Sequence, residues 1–255
     1  MNDAILALHD CTISFGGLLA VDKANIALKS GELVGLIGPN GAGKTTVFNL
    51  ITGVYRPSSG EIRLNGRPIH GQKPHRIAAQ GVARTFQNIR LFGSLSALDN
   101  VRIGAHAHAR YSPLSAIIRS GAFRTQDHEL RNQAIHLLHV FGLGKFQNET
   151  AHNLPYGEQR RLEIARALAS NPQVLLLDEP TAGMNPHETR ELMELIKSIR
   201  DDFGLTILLI EHDMKVVMGI CERIYVLDYG EVIAEGLPEE IRKNPEVIKA
   251  YLGEA

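Results

Sequence analysis

Residues 38–46 read Gly38-Pro39-Asn40-Gly41-Ala42-Gly43-Lys44-Thr45-Thr46, directly after an apolar run at 32–37. A glycine, four residues, then Gly-Lys-Thr is the spacing of a phosphate-binding loop, or P-loop. That spacing demands a strand, a loop whose main-chain N–H groups curl inward, and a helix whose N-terminus faces the same point. Glycines permit the curl and leave no Cβ in the way of phosphate oxygens. Lys44 supplies a mobile cation for the β- and γ-phosphates, and Thr45 a hydroxyl for Mg²⁺. A dinucleotide loop, G-x-G-x-x-G, is excluded because position 40 is Asn rather than Gly.

The rest of the chain agrees with an α/β fold built on a mostly parallel sheet. Short apolar runs at 5–8, 32–37, 61–64, 82–86, 174–178, 206–210 and 223–228 predict strands, separated by helical patterns. Residues 228–236 predict a hairpin turning at Tyr229-Gly230. From about 96 to 170 strand signals disappear. Leu130, Ala134, Leu137, Leu138 and Phe141 recur at helical spacing, as do Leu162, Ala165 and Ala169, so a helical insertion is expected there, its stripes forming core.

A second chemical signal is Val-Leu-Leu-Leu-Asp-Glu-Pro at 174–180. An unbroken apolar run is what a strand buried on both faces requires, and functional groups gather at the carboxyl ends of such strands. Asp178 is expected to hold Mg²⁺ through its water shell. Its neighbour Glu179, pointing elsewhere, is expected to address an attacking water.

The remaining composition narrows the field. Among 255 residues, 27 Lys and Arg balance 28 Asp and Glu to a net charge of −1, so no global field favours nucleic acid. Hydrophobic residues are 44% and charged residues 22%, which excludes a disordered chain. Two cysteines, Cys11 and Cys221, are too few for a disulfide framework. The N-terminal segment carries no basic, long apolar pattern and predicts no secretory leader. No apolar run approaches the roughly 18 residues of a membrane span. The histidine pairs 106/108 and 136/139 lack accompanying acids or cysteines and predict no metal site.

Taken in order, the motifs resemble the ATPase subunits of ABC transporters over nearly the whole chain. Phe15 in Ile-Ser-Phe-Gly-Gly matches that family's adenine-stacking aromatic. Gln87 in Arg-Thr-Phe-Gln-Asn matches its Q-loop glutamine, a contact for Mg²⁺ and water, and His212 matches its switch histidine. Residues 154–168 match the signature segment, with Tyr156, Gly157 and Glu158 at a partner's nucleotide, and 181–186 match the D-loop. The resemblance implies a P-loop NTPase core (1–95 and 171–255) with an antiparallel β subdomain, and an inserted helical subdomain at 96–170. It implies ATP and Mg²⁺ as ligands, with Glu179, His212 and Gln87 catalytic.

Two departures stand out. Pro155 replaces the usual signature serine and can donate neither a hydroxyl nor an N–H, while Asn185 replaces the D-loop aspartate. The resemblance therefore implies pairing with a second, non-identical ATPase, a homodimer being the alternative. The branch most resembled is the branched-chain amino-acid importers, on the segments Phe-Gly-Gly-Leu-Leu-Ala-Val, Arg-Thr-Phe-Gln-Asn-Ile-Arg-Leu-Phe, residues 156–168 and residues 244–255. That implies integral-membrane permease partners contacted near Leu91 and Phe92, an indirect periplasmic binding protein, and a place on the cytoplasmic face of the cell membrane. ABC ATPases of lipopolysaccharide extraction or of urea and amide uptake are the alternatives, with a non-transport ABC ATPase behind them.

Overall fold

The computed structural model describes residues 4–106, 115 and 120–252. Two sheets form the core. A six-stranded sheet has the order β10-β9-β3-β8-β7-β6, with β3 at Leu33–Ile37, β6 at Val82–Arg84, β7 at Val174–Asp178, β8 at Thr206–Ile210, β9 at Arg223–Asp228 and β10 at Glu231–Gly236. Its strands pair in parallel except β9 with β10. The turn between those two uses positive φ at Tyr229 (43°) and Gly230 (86°), the backbone of a tight two-residue hairpin. The second sheet is antiparallel, order β2-β1-β4-β5, from β1 (Ala4–Phe15), β2 (Leu18–Lys29), β4 (Ser59–Leu64) and β5 (Arg67–Pro68).

The central strands are buried on both faces because each face meets a different layer. Leu33 and Ile37 of β3, Leu175 and Leu177 of β7, and Ile207 and Leu209 of β8 enter one hydrophobic cluster. That cluster includes residues of helices α3 (Ala97–Ala105), α4 (Gly121–Val140), α5 (Tyr156–Leu168), α6 (Pro186–Phe203) and α7 (Met214–Ile220). The alternate residues Val34, Leu36, Val174, Leu176, Leu208 and Ile210 pack instead with β1, β2, β4 and the helix α1 (Lys44–Ile51). Gly35 lets α7 approach: a Cβ there would lie 3.0 Å from Val217 Cγ1 and 3.1 Å from Cys221 Sγ.

The predicted helical insertion is present, and among the described residues 96–170 no strand longer than the isolated Ser96–Thr150 bridge occurs. Leu130, Ala134, Leu137, Leu138 and Phe141 are all buried on α4, as expected. The poorly legible stretch 104–126 falls partly outside the described residues, as do His108 and the end of segment 244–255. Two differences matter. The strand at 82–86 stops at Arg84, because the chain turns away to form the loop carrying Gln87. Strand β2 has no single unbroken alternation, since Lys23 adopts positive φ (42°); it and Asp10 of β1 (φ 44°) accompany shifts in the β1–β2 register. Pairing with β1 makes β2 a strand where local pattern does not.

A small helix α2 (Pro74–Ala79) and the C-terminal helices α8 (Pro238–Ile241) and α9 (Pro245–Leu252) complete the described elements. The adjacent strands β3, β8 and β7 run in parallel, so their carboxyl ends open onto one edge. Loops leaving that edge carry residues 38–43, 211–213 and 179–181, and β6 beside β7 leads to Gln87.

Candidate active site

The loop 38–43 joins β3 to α1 with little choice of residue at two positions. Gly43 caps α1 at φ 103°, and a Cβ there would sit 2.5 Å from the Ala20 carbonyl oxygen. At Gly38 (φ 151°) the Leu227 carbonyl oxygen lies 1.9 Å from where a Cβ would go. Both glycines are thus required by close backbone approach as well as conformation. Helix α1 starts without a side-chain cap, which leaves its first-turn N–H groups for an anion. Lys44 is buried, and its Nζ donates to the carbonyls of Gly38 (2.7 Å) and Pro39 (2.8 Å). Desolvation lowers its pKa, an effect opposed by the nearby charges of Glu179 and Asp178. Thr45 is exposed at the helix start, and Asn40 and Gly41 form the open rim of the loop.

Across from this loop the three residues expected to act in catalysis meet. Glu179 Oε1 lies 2.5 Å from His212 Nε2, and Oε2 accepts from Gln87 Nε2 at 2.7 Å. Glu179 sits at φ 46°, a conformation unusual for a side chain of its size, and its N–H donates to the Ile210 carbonyl at 2.9 Å. This turn separates its carboxylate from that of Asp178, its neighbour in sequence. Asp178 remains on β7, buried, where desolvation raises its pKa and Arg84 opposes the rise. The two acids thus occupy different environments, as their expected roles require.

The sequence assigned no site role to three side chains that the structure places here: Arg84, Glu211 and Arg160. Arg84 donates to Asp178 Oδ2 at 2.9 Å. Glu211, beside His212, accepts from the Thr181 N–H (2.9 Å), the Thr181 hydroxyl (2.6 Å) and the His212 N–H (3.2 Å), tying the two loops together. Arg160, fully buried, donates to the Phe86 and Gln87 carbonyls at 2.7 Å each and pairs with Glu163 at 2.9 Å. The available hint was Glu211 directly after the strand 206–210. The basic pair Arg160-Arg161, following the signature segment, is expected from sequence at a solvated or subunit-facing edge, and only packing reveals Arg160 as a link between α5 and the Gln87 loop.

Burial raises the Glu211 pKa above 4.5. A raised carboxyl pKa contributes stability in acid that is lost as pH climbs through the folded value. The Tm difference between the wild type and Glu211→Gln should therefore favour wild type most at low pH and shrink as pH rises above 4.5. Thermal melts across pH 4–8 check this; a constant difference would contradict it.

Other expected residues divide. Phe15 is 42% exposed, edge-on to Tyr55 with ring centroids 5.0 Å apart, so its face is available for stacking. Tyr156, Gly157 and Glu158 open α5 behind Pro155, and that end too lacks a side-chain cap. No hydrogen bond among the described residues joins them to residues 38–46; the Tyr156 ring instead lies beside Gly183. Asn185 is the N-cap of α6, accepting from His187 N (2.9 Å) and Glu188 N (3.0 Å), while Glu188 returns a bond to its N–H. Asn and Asp serve this cap almost equally, so the exchange preserves the fold locally. Leu91 is half-buried against the core, whereas Phe92 is 48% exposed.

The residues present fit a Mg²⁺-bound nucleoside triphosphate. The curled loop, the uncapped helix end and the buried ammonium suit phosphate. Among the described residues no group of three or more His, Cys, Asp or Glu could hold a metal ion. A nucleotide-bound Mg²⁺ keeps its waters and takes one or two protein groups plus phosphate oxygens. Thr45, Asp178 and Gln87 are the side chains expected to serve it. No helix among the described residues is long and apolar enough to cross a membrane.

Comparison with known proteins agrees with this geometry. Residues 21–182 match the ABC transporter family, and 231–255 match the branched-chain amino acid ATP-binding cassette transporter family. The chain is 49% identical to the high-affinity branched-chain amino acid transport ATP-binding protein BraF of Pseudomonas aeruginosa, over 100% of both chains. It is 48% identical to LivG, of the same description, from Escherichia coli, again over 100% of both. A lipopolysaccharide export ATP-binding protein of Acidithiobacillus ferridurans is 38% identical over 94% of this chain and 93% of its own. Among solved structures, an ATP-binding cassette of an ABC transporter in its ADP conformation superposes with a TM-score of 0.85 at 29% identity, covering 98% of this chain and 99% of that one. With a P-loop, an oriented glutamate and a matching chain from end to end, the protein belongs to the ABC transporter family, as one of its ATP-binding ATPase subunits.

Proposed function

We propose that the chain hydrolyses Mg²⁺-ATP to drive a permease importing branched-chain amino acids, working from the cytoplasmic face of the cell membrane beside a second, non-identical ATPase. The observation that carries the chemistry is Glu179 held at both carboxylate oxygens by His212 and Gln87. Support for the substrate class comes from full-length similarity to branched-chain amino acid transport proteins and from the C-terminal family match, which favours this reading over lipopolysaccharide export.

In this reading the main-chain amides of 40–46 and Lys44 hold the phosphates, and Phe15 stacks on the base. Glu179 orients a water at the γ-phosphorus and receives its proton as the P–O bond to the leaving ADP breaks. His212 and Gln87 keep that carboxylate aimed, and His212 in this reading also steadies the γ-phosphate. Mg²⁺, when bound, neutralises charge on the phosphate oxygens. The transition state is loose, so positioning and charge stabilisation supply most of the rate.

A partner's signature helix would close the far side of the nucleotide. Pro155 leaves the present chain's own signature without the hydroxyl and the N–H of the usual serine, which supports a non-identical partner with an intact one. Mixing the chain with the companion ATPase and the permease in proteoliposomes tests the proposal. Turnover should exceed the sum of the separate proteins, and labelled leucine uptake should require both. Turnover equal to that of this chain alone, or uptake without the companion, would reject the pairing. The exposed Phe92 offers the permease an apolar contact next to the Gln87 loop.

A further inference from the structure

Arg84 opens the Arg-Thr-Phe-Gln-Asn segment, where only Gln87 carries an expected role, and it lies against Asp178. Its guanidinium spans three elements. Nη2 donates to Asp178 Oδ2 on β7 at 2.9 Å, and Nη1 donates to Asn49 Oδ1 on α1 at 2.7 Å. The plane is flanked by the Phe48 and Phe86 rings, with centroids 5.3 and 5.1 Å from Cζ. Both charged side chains are nearly inaccessible, 7% for Arg84 and 4% for Asp178. Arg84 Nε is buried without a hydrogen-bond partner.

An ion pair this buried is a poor way to gain stability, because desolvation consumes most of the attraction and an unmatched N–H adds a further cost. Its geometry suits another task. Arg84 takes Oδ2, and the carboxylate makes no other side-chain hydrogen bond among the described residues, so Oδ1 is left for a different partner. A fork that also grips α1, the helix carrying Lys44 and Thr45, fixes the acid relative to the phosphate loop. A lysine could supply the charge but not the rigid planar fork that reaches Asp178 and Asn49 together.

We propose that Arg84 is a positioning residue that clamps Asp178 to α1 in the one orientation that serves Mg²⁺ bound with the nucleotide, Asn49 acting as the clamp's anchor. The inference rests on the reading that Asp178 addresses Mg²⁺. Groups that orient a metal's protein contacts commonly carry about 10–100-fold of affinity or activity.

Calorimetric titration of ATP into the purified chain, in EDTA and over a Mg²⁺ series, separates the metal's contribution from turnover. In EDTA, Arg84→Met should bind ATP like wild type, because the loop and Lys44 are untouched. The Mg²⁺ concentration at which binding tightens half-maximally should rise by about tenfold or more. Arg84→Lys should fall between Arg84→Met and wild type. Asn49→Ala, which keeps the buried ion pair, should shift the midpoint in the same direction by less, and serves if Arg84→Met does not fold. A wild-type midpoint in Arg84→Met, or in Asn49→Ala when that is the only folded variant, would overturn the clamp. Asp178→Asn is the control that tells the two failures apart. If it shifts the midpoint while the Arg84 and Asn49 variants do not, the clamp alone is wrong. If it too leaves the midpoint unchanged, the assignment of Asp178 to Mg²⁺ is wrong and the clamp falls with it.

Discussion

Glu179→Gln should bind Mg²⁺-ATP with nearly wild-type affinity while steady-state turnover falls by about 10²–10⁴-fold. The substitution keeps the side-chain volume and an acceptor oxygen for either Gln87 or His212, but it removes the base that receives the proton of the attacking water. Of the two hydrogen bonds that hold Glu179, at 2.5 and 2.7 Å, one must reverse or be lost, because the amide nitrogen only donates. Binding should persist because the phosphates are gripped by main-chain amides and Lys44, groups the substitution leaves alone. Phosphate release and equilibrium ATP binding, measured on one preparation, check both halves. Turnover within a few-fold of wild type would remove Glu179 from the chemical step and leave it a structural acceptor. With the companion ATPase present, the variant should also accumulate an ATP-bound closed pair, visible as a larger species on size exclusion.

Lys44→Ala should lose ATP affinity by about 100-fold or more, on the scale of two charge-assisted hydrogen bonds at 1.5–3 kcal/mol each. The magnitude follows from burial. Lys44 is 6% exposed, and its ammonium already meets two loop carbonyls, so phosphate gains a cation that water screens poorly. The effect on stability should not parallel the effect on binding. Desolvation lowers the Lys44 pKa, so holding the charged form costs folding free energy at neutral pH. A depressed lysine pKa makes the folded state shed its proton earlier than the unfolded chain. The penalty is therefore full at neutral pH and fades as pH rises through the folded value toward 10.5. Truncation should accordingly lower affinity steeply while the melting temperature holds or rises. Calorimetry beside thermal melts distinguishes this from simple unfolding; a matching collapse of both would mean that the side chain mainly supports the fold.

The clearest contrast between these sites lies in how far apart their parts are in the chain. Everything the phosphate loop needs sits within nine consecutive residues, and a strand–loop–helix turn can be read from local spacing. The same holds for the apolar strand that ends in Asp178, for the strand that ends two residues before His212, and for the helical stripe on α4. Strand β2 was not legible because its residue at positive φ, Lys23, breaks the alternation that marks a strand. Arg160 looked like a surface charge because helical spacing does not reveal that the Gln87 loop covers it. Asn185 read as a replacement for the D-loop aspartate, and its capping of α6 became visible only in the fold.

Composition and order along the chain were enough to establish a phosphate-binding α/β core, its helical insertion and the family resemblance, because each depends on neighbours within a turn or a strand. The catalytic grouping was a matter of three-dimensional packing. Gln87 lies 92 residues from Glu179 and His212 lies 33 from it, and they meet only because β6, β7 and β8 are adjacent in one parallel sheet. The pairing of Arg84 with Asp178 is of the same kind, since a charge on one strand acquires its partner from the register of the next. Local sequence encodes which elements form; contact across elements, which no spacing rule expresses, sets which side chains share a charge, a proton or a bond.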